Sequence, residues 1–276
     1  MRRIGGAAVW LLMAAGAVLL AGCSGDSSAE SFTFAAFGDC RPGTDPYSPV
    51  LLAMAQDMAL HKPAFIVGTG DYIEGSSTEA TVRRQYDGFF TALAPLQSLG
   101  TIPVALAPGN HEIRGSRRNQ ELFEEYFKHR YFSFDHGGSH FIILDSEEPG
   151  LDARIGGDQL VWLKDDLARH RSAKLCFVSL HRPLYPVDGH KGGSMDKFPA
   201  QRDALHELFV AEGVDCVLSG HEHLFNQQRK DGIEYIITGG AGAPLYASVD
   251  EGGFYHYLLV HVTGHSYRMD LRRPVG

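Results

Sequence analysis

The stretch Ile102-Pro103-Val104-Ala105-Leu106-Ala107-Pro108-Gly109-Asn110-His111-Glu112 decides how the rest of the chain is read. An apolar run of strand length is broken by Pro-Gly and followed at once by three side chains that can bind a metal or move a proton. The same punctuation recurs on either side. Phe32–Phe37 ends at Gly38-Asp39, and Phe65–Val67 runs out to Gly70-Asp71. Leu175–Leu180 ends at His181, and Val214–Leu218 ends at Gly220-His221-Glu222-His223. Each piece has an ordinary explanation when taken singly: Gly-Asp is a common turn, Asn-His can open a helix, and a lone histidine is usually structural. Together they place two carboxylates, one amide and three imidazoles at five strand ends. Open α/β sheets gather their sites at the carboxyl ends of strands. A mixed oxygen and nitrogen set suits first-row transition ions better than calcium or a thiolate-bound structural zinc.

Between these strands lie helical patterns. Ser48-Pro49 reads as a cap and first-turn proline, with Leu51, Met54, Ala55 and Met58 on one face. Val82, Tyr86, Phe89, Phe90 and Leu93 mark a second helix, Leu160, Leu163 and Leu167 a third, and Leu205, Leu208 and Phe209 a fourth. Tyr131–Asp135 and His140–Asp145 flank a Gly137-Gly138 turn and read as a hairpin. The last sixty residues are strand-rich, at 234–238, 257–262 and 267–271. Alternating βα units followed by return strands predict an α/β domain of sheets covered by helices, spanning 32–276 without a linker.

Composition narrows the function classes. The chain has 276 residues, 25 Lys plus Arg against 33 Asp plus Glu, and 44% apolar residues. Disorder, collagen-like repeats and a polytopic membrane protein do not fit this composition. A net charge of −8 disfavours a nucleic-acid-coating surface. Arg2, Arg3 and the short apolar run Ala7–Ala21 have the form of an export signal. Leu20-Ala21-Gly22-Cys23 resembles the bacterial lipobox. That resemblance implies a signal peptide over 1–22, a lipid on Cys23, a polar tether over 23–31, and a chain held to a membrane at the cell envelope, on its periplasmic or extracytoplasmic face. An ordinary cleaved signal with a chance cysteine is the alternative. Cys40, Cys176 and Cys216 remain, an odd number that cannot make a disulfide framework. Buried thiols are expected for Cys176 and Cys216, with a bridge between them left open.

The ordered set GD…GD…GNHE…H…GHEH resembles the calcineurin-like metallophosphoesterase superfamily, and Tyr235–Pro244 resembles its purple-acid-phosphatase-like branch. The resemblance implies a two-sheet β-sandwich flanked by helices on both sides. It implies two divalent or trivalent ions of Mn, Fe or Zn. Asp71 would bridge them, with Asn110, His181 and His221 completing one position and Asp39 and His223 the other. His111 would protonate the leaving oxygen or stabilise transition-state charge. Glu112 would orient His111 by accepting its ring N–H, or would simply be an acidic residue starting a helix. The implied activity is metal-dependent hydrolysis of a small or polymeric phosphate ester by direct attack of a metal-bound hydroxide. A phosphodiesterase or pyrophosphate hydrolase of the same fold is an alternative, as is a catalytically weak metal- or phosphate-binding lipoprotein.

One motif departs from the pattern. Many relatives read Asp-x-His where this chain has Asp39-Cys40-Arg41, and a guanidinium has no lone pair for a metal. Arg41 is therefore a candidate substrate clamp, with a structural ion pair as the competing role. Tyr72 and Glu74 could fill the gap, Glu74 being otherwise a solvated loop acid. Cys40 should point away from Asp39 if the strand continues. Arg114 reads as a surface residue. The glycine-rich loop 188–193 could bring His190 or Lys191 to the site mouth.

Overall fold

A computed structural model describes residues 31–97, 102–187 and 189–274. The signal peptide, Cys23 and nearly all of the expected tether lie outside the described residues, as does Asp188. Eleven strands and six helices follow in order: β1 (Ser31–Phe37), α1 (Pro49–His61), β2 (Ile66–Gly68), α2 (Glu79–Gln97), β3 (Val104–Leu106), α3 (Asn110–Ile113), α4 (Arg117–Phe127), β4 (Phe132–His136), β5 (Ser139–Ile143), α5 (Gly157–Arg169), β6 (Cys176–Ser179), α6 (Pro199–Glu212), β7 (Cys216–Ser219), β8 (Phe225–Lys230), β9 (Ile233–Thr238), β10 (Tyr257–Thr263) and β11 (Ser266–Arg272).

They form two mixed sheets, ordered β11-β10-β1-β2-β3 and β4-β5-β6-β7-β9-β8. Alternation of side chains along each strand builds three apolar layers. In β1, Phe34 and Ala36 face the other sheet, in a layer shared with Phe65 and Val260 of their own sheet and Phe141, Phe177 and Leu218 of the other. Ala35 and Phe37 face outward onto Leu51, Met54, Tyr86, Phe89 and Phe123, the apolar faces of α1, α2 and α4. Leu163, Leu167, Leu205 and Phe209, from α5 and α6, cover the far side of the second sheet against Val178 and Val217. The result is the expected helix–sheet–sheet–helix sandwich. The inner layer is aromatic: Phe34 stacks on Phe65 with ring centres 5.2 Å apart, and Phe141 on Phe177 at 5.0 Å. Each such ring, fully buried, contributes roughly 2–3 kcal/mol.

The same alternation explains the cysteines. Phe177 pairs with Cys216 across β6 and β7, so Cys176 belongs to the outer layer and Cys216 to the inner one. The sheet lies between them, and both are free thiols. Among the described residues no helix is long and apolar enough to cross a membrane.

Strands β1, β2 and β3 run parallel, as do β5, β6, β7 and β9. The carboxyl ends of the central strands of both sheets therefore open at one edge of the sandwich. Every metal-capable residue singled out from the sequence sits there.

Candidate metal centre

The chain bends sharply as it leaves three of these strands. Asp39, Asp71 and His221 adopt φ of 58°, 57° and 70°, the left-handed region that is uncommon for any residue but glycine, though Asp and His enter it more often than most. Such strain costs on the order of 1–3 kcal/mol per residue and persists only where the surroundings dictate it. Here they do. The Asp39 amide donates to the Gly70 carbonyl at 2.9 Å. Asp39 Oδ2 accepts the His221 amide at 2.9 Å, and Asp71 Oδ1 accepts the His111 amide at 2.9 Å. Gly70 has to be glycine for reasons of space as well. A Cβ there would lie 2.6 Å from His181 Nδ1 and 2.9 Å from the Gly109 backbone, at φ +100°. The loops after β2, β3 and β6 can meet only because that atom is missing.

The donors converge in two groups. His181 Nε2 is 3.0 Å from Asn110 Oδ1, 3.1 Å from His221 Nδ1 and 3.4 Å from Asp71 Oδ1. His181 Nδ1 lies 2.8 Å from the Thr69 carbonyl, which can only accept, so the proton is on Nδ1 and a lone pair on Nε2. The amide oxygen and the carboxylate oxygen facing it are acceptors too. The lone pairs of His181 Nε2, Asn110 Oδ1 and Asp71 Oδ1 thus face one another in a buried pocket, an arrangement that a cation satisfies. In the second group, His223 Nδ1 gives its proton to the Pro244 carbonyl at 2.7 Å, and Nε2 points at Asp39 Oδ1, 3.5 Å away. Asp39 Oδ1 is buried without a hydrogen-bond partner. Asp39, Asp71 and His181 bring ligand atoms within 4.8 Å of one another, so the donor set fits a bound metal.

Burial shapes the charge states. It pushes His181 down to about 3 and His221 well below the ordinary imidazole value, keeping both rings neutral and able to donate lone pairs. Burial pushes Asp71 up, opposed by His111 and Arg41. His223 is pulled down by burial and more strongly up by Asp39, for a net rise.

The remaining predicted residues divide. His111 Nδ1 lies 2.9 Å from the Glu74 carbonyl, which fixes its proton there, and Nε2 faces Asp71 Oδ2 at 3.9 Å. Glu112 therefore does not orient His111, and the expected catalytic role is corrected. Its carboxylate is fully buried and accepts the backbone N–H groups of Gly109, Asp71 and Tyr72 at 2.8 Å and of Ile73 at 3.1 Å. Burial and the Asp71 charge push this carboxyl up, while the four donations favour the carboxylate. Each of its lone pairs already accepts an N–H, so no proton has a place on it. Glu112 braces the loop carrying Asp71 while opening α3. Arg41 Nη1 pairs with Glu74 Oε2 at 2.8 Å, which is the ion-pair alternative, and Glu74 Oε1 takes the Gly43 amide at 2.9 Å. Glu74 is thus turned to Arg41 and away from the donor cluster. Tyr72 is also committed, its hydroxyl accepting from Gly70 and donating to the Ala107 carbonyl. Cys40 Sγ points to the Tyr72 carbonyl, 4.0 Å away. Arg114 makes a long contact of 3.4 Å with the Glu74 carbonyl.

Two residues escaped the sequence reading. The Tyr246 hydroxyl accepts the His223 amide at 2.9 Å and lies 2.7 Å from His190 Nδ1 and 3.2 Å from the His221 carbonyl, closing the site on that side. Nothing in Pro244-Leu245-Tyr246 signals this. Glu222, within the last motif, accepts the amides of Val187 and His190, so it secures the loop that brings the His190 ring to 4.2 Å from His221.

Comparison with known proteins agrees with this architecture. The pattern of the Calcineurin-like phosphoesterase family matches residues 32–225. Purple acid phosphatase 23 of Arabidopsis thaliana is 27% identical over 187 residues, covering 63% of this chain and 38% of its own. Serine/threonine-protein phosphatase CPPED1 of Homo sapiens is 28% identical over 223 residues, covering 75% of this chain and 70% of its own. The purple acid phosphatase PPD1 from yellow lupin seeds superposes with a TM-score of 0.70 at 20% identity, covering 89% of this chain and 52% of that one. The chain thus spans little more than a third of the Arabidopsis protein.

Proposed function

The chain belongs to the calcineurin-like phosphoesterase family, a family of metal-dependent phosphoric ester hydrolases, and from that premise we propose that it hydrolyses phosphate esters at the cluster around Asp71. The observation that carries this reading is that His181 Nε2, with the ring's other nitrogen held by Thr69, turns its lone pair toward two further acceptors, Asn110 Oδ1 and Asp71 Oδ1. Asp39, Asp71, Asn110, His181, His221 and His223 would hold the ions. Two such ions would supply the charge that draws a phosphoryl oxygen in and an acidified water to attack it.

The chain's own residues do the rest. Glu112 and the backbone around Gly70 and Gly109 fix Asp71 in its strained conformation. The Glu74 carbonyl orients His111 so that Nε2 is the nitrogen able to hold or release a proton over the site. No serine or cysteine is needed as a nucleophile. Cys40 is buried, and burial pushes its thiol well above the ordinary range. Substrate choice rests with the loops, so monoester, diester and pyrophosphate cleavage remain readings of one site.

The test is hydrolysis of chromogenic phosphate monoester and diester substrates by the purified chain, with Mn, Fe, Zn and Co added in turn. Turnover that needs an ion and disappears in Asp71→Asn is the expected result. A folded, metal-loaded chain without turnover on any ester would favour the binding-protein alternative. We also propose attachment at the cell envelope through a lipid on Cys23. The support is the resemblance of Leu20–Cys23 to a lipobox and the basic, apolar segment before it. Cys23→Ala should release the chain from the membrane fraction, and unchanged membrane retention would refute the anchor.

A further inference from the structure

The converging donors are not shared evenly. One side has Asn110 Oδ1, His181 Nε2 and His221 Nδ1, with His181 Nε2 3.0 and 3.1 Å from the other two. The other side has Asp39 Oδ1 and His223 Nε2, 3.5 Å apart. Asp71 stands between, with Oδ1 toward His181, and with Oδ2 3.7 Å from Arg41 Nε and 3.9 Å from His111 Nε2. On the second side a guanidinium stands near the shared carboxylate, and a guanidinium offers an ion no lone pair.

Neighbours that could compensate are committed elsewhere. Both Glu74 oxygens are used, one by Arg41 and one by the Gly43 amide. The Tyr72 hydroxyl is spent between Gly70 and Ala107, and the Cys40 thiol faces away. Arg41 Nε is buried with no hydrogen-bond partner, held there by the grip of Glu74 on Nη1. A fixed positive charge beside an ion position opposes a second cation both by the missing ligand and by repulsion.

We propose that the two metal positions are unequal: the Asn110–His181–His221 position binds an ion tightly, the Asp39–His223 position binds one weakly, and the Arg41–Glu74 pair is the cause. The inference rests on the metal-centre reading above, and its test separates the two. The metal-stripped full chain is titrated with Mn²⁺ alone, by calorimetry and by counting bound ions after dialysis. Two classes differing by at least about tenfold in affinity are expected, the scale on which metal-site neighbours act. Arg41→His, which restores a lone pair and removes the fixed charge, should strengthen the weak class about tenfold or more and leave the tight class within about twofold. His223→Ala should remove the weak class only. Two equal classes in the unaltered chain would overturn the proposal and leave the metal centre standing, while no bound ion would overturn both. The unaltered chain decides the inequality by itself, so a poorly folded Arg41→His variant gives it no shelter. A weak class unmoved in well-folded Arg41→His, or loss of the tight class in His223→Ala, would also overturn it.

Discussion

Among the described residues two places bring histidines and aspartates close enough to hold a metal, and their hydrogen bonding differs. Around Asp71 the imidazoles of His181 and His223 turn Nδ1 to the carbonyls of Thr69 and Pro244, which leaves each ring's Nε2 facing the donor cluster. Near the β4–β5 hairpin the arrangement is reversed. His140 Nδ1 is 2.7 Å from Asp135 Oδ1 and its Nε2 2.9 Å from Asp166 Oδ2, so each nitrogen faces a carboxylate. His170 stacks on the His140 ring at 3.8 Å, nearly parallel, an arrangement in which an ion between the planes would lie off both in-plane lone pairs. In the first cluster acceptors face one another around His181 Nε2, whereas in the second both His140 nitrogens are taken up by carboxylates. A list of residue types cannot tell them apart; the partner of the second ring nitrogen can.

The largest expected difference is in turnover. Asp71→Asn should lower kcat/KM by about a thousandfold or more, the several kcal/mol that charge stabilisation by bound ions supplies. Asp135→Asn, in the other cluster, should leave it within about twofold. Steady-state kinetics at saturating metal checks both, and a comparable loss in both variants would erase the contrast.

Next in size is the cost of opening the second cluster. His140 and Asp166 are both buried, so His140→Ala strands a buried carboxylate with only Ser133, Arg169 and His170 near it. About 3 kcal/mol of stability should be lost in urea unfolding, with the number of bound ions unchanged. A variant that loses an ion instead would make this cluster a metal site. Gly70→Ala should cost less stability, about 2 kcal/mol, because the added Cβ meets His181 and the Gly109 backbone at a positive φ. Unlike His140→Ala it should also weaken metal binding, which dialysis would register.

How far the sequence reached follows from the same chemistry. Strands ending in Gly-Asp, Asn-His-Glu or His-Glu-His are local signals, but Phe34, Ala35, Ala36 and Phe37 are all apolar, so their division between two layers shows only in the fold. Helix α4 is faint in the sequence although Ser116 caps it and Leu122, Phe123 and Phe127 form its buried face, because Arg, Asn, Gln and Glu dilute the apolar period. Strand β8 was missed for a similar reason: Phe225–Lys230 is a polar edge strand, and only the Asp231-Gly232 turn with its two positive φ values announces the hairpin. Of the two roles open to Glu112, the helix start holds, but the partner that adjacency suggests, His111, gives way to Asp71, Tyr72 and Ile73, which folding brings from about forty residues away. Tyr246 reaches the site from a loop whose course no periodicity encodes.

The smallest expected effect is the most direct test of what sits in the second cluster. Burial pulls His140 down, but Asp166 and Asp135 together outweigh it and leave its pKa raised. Burial pushes Asp166 up, yet its bonds to His140 and Ser133 bring it down overall. The groups facing His140 are Asp135 from β4, Asp166 from α5 with Arg169 on it, and the stacked His170 ring after α5. A raised folded-state value means that the protonated ring stabilises the fold. That contribution is complete below the unfolded histidine value of about 6.5 and fades as pH rises through the folded value. The lowered Asp166 works at the other end: its contribution is present above the unfolded carboxyl value and is lost as pH falls through the folded one. Stability of the unaltered chain minus that of His140→Gln should therefore fall as pH climbs above about 6.5. A difference that stays flat or grows with pH would mean a neutral ring, and the cluster would then have to be reconsidered as a site waiting for an ion.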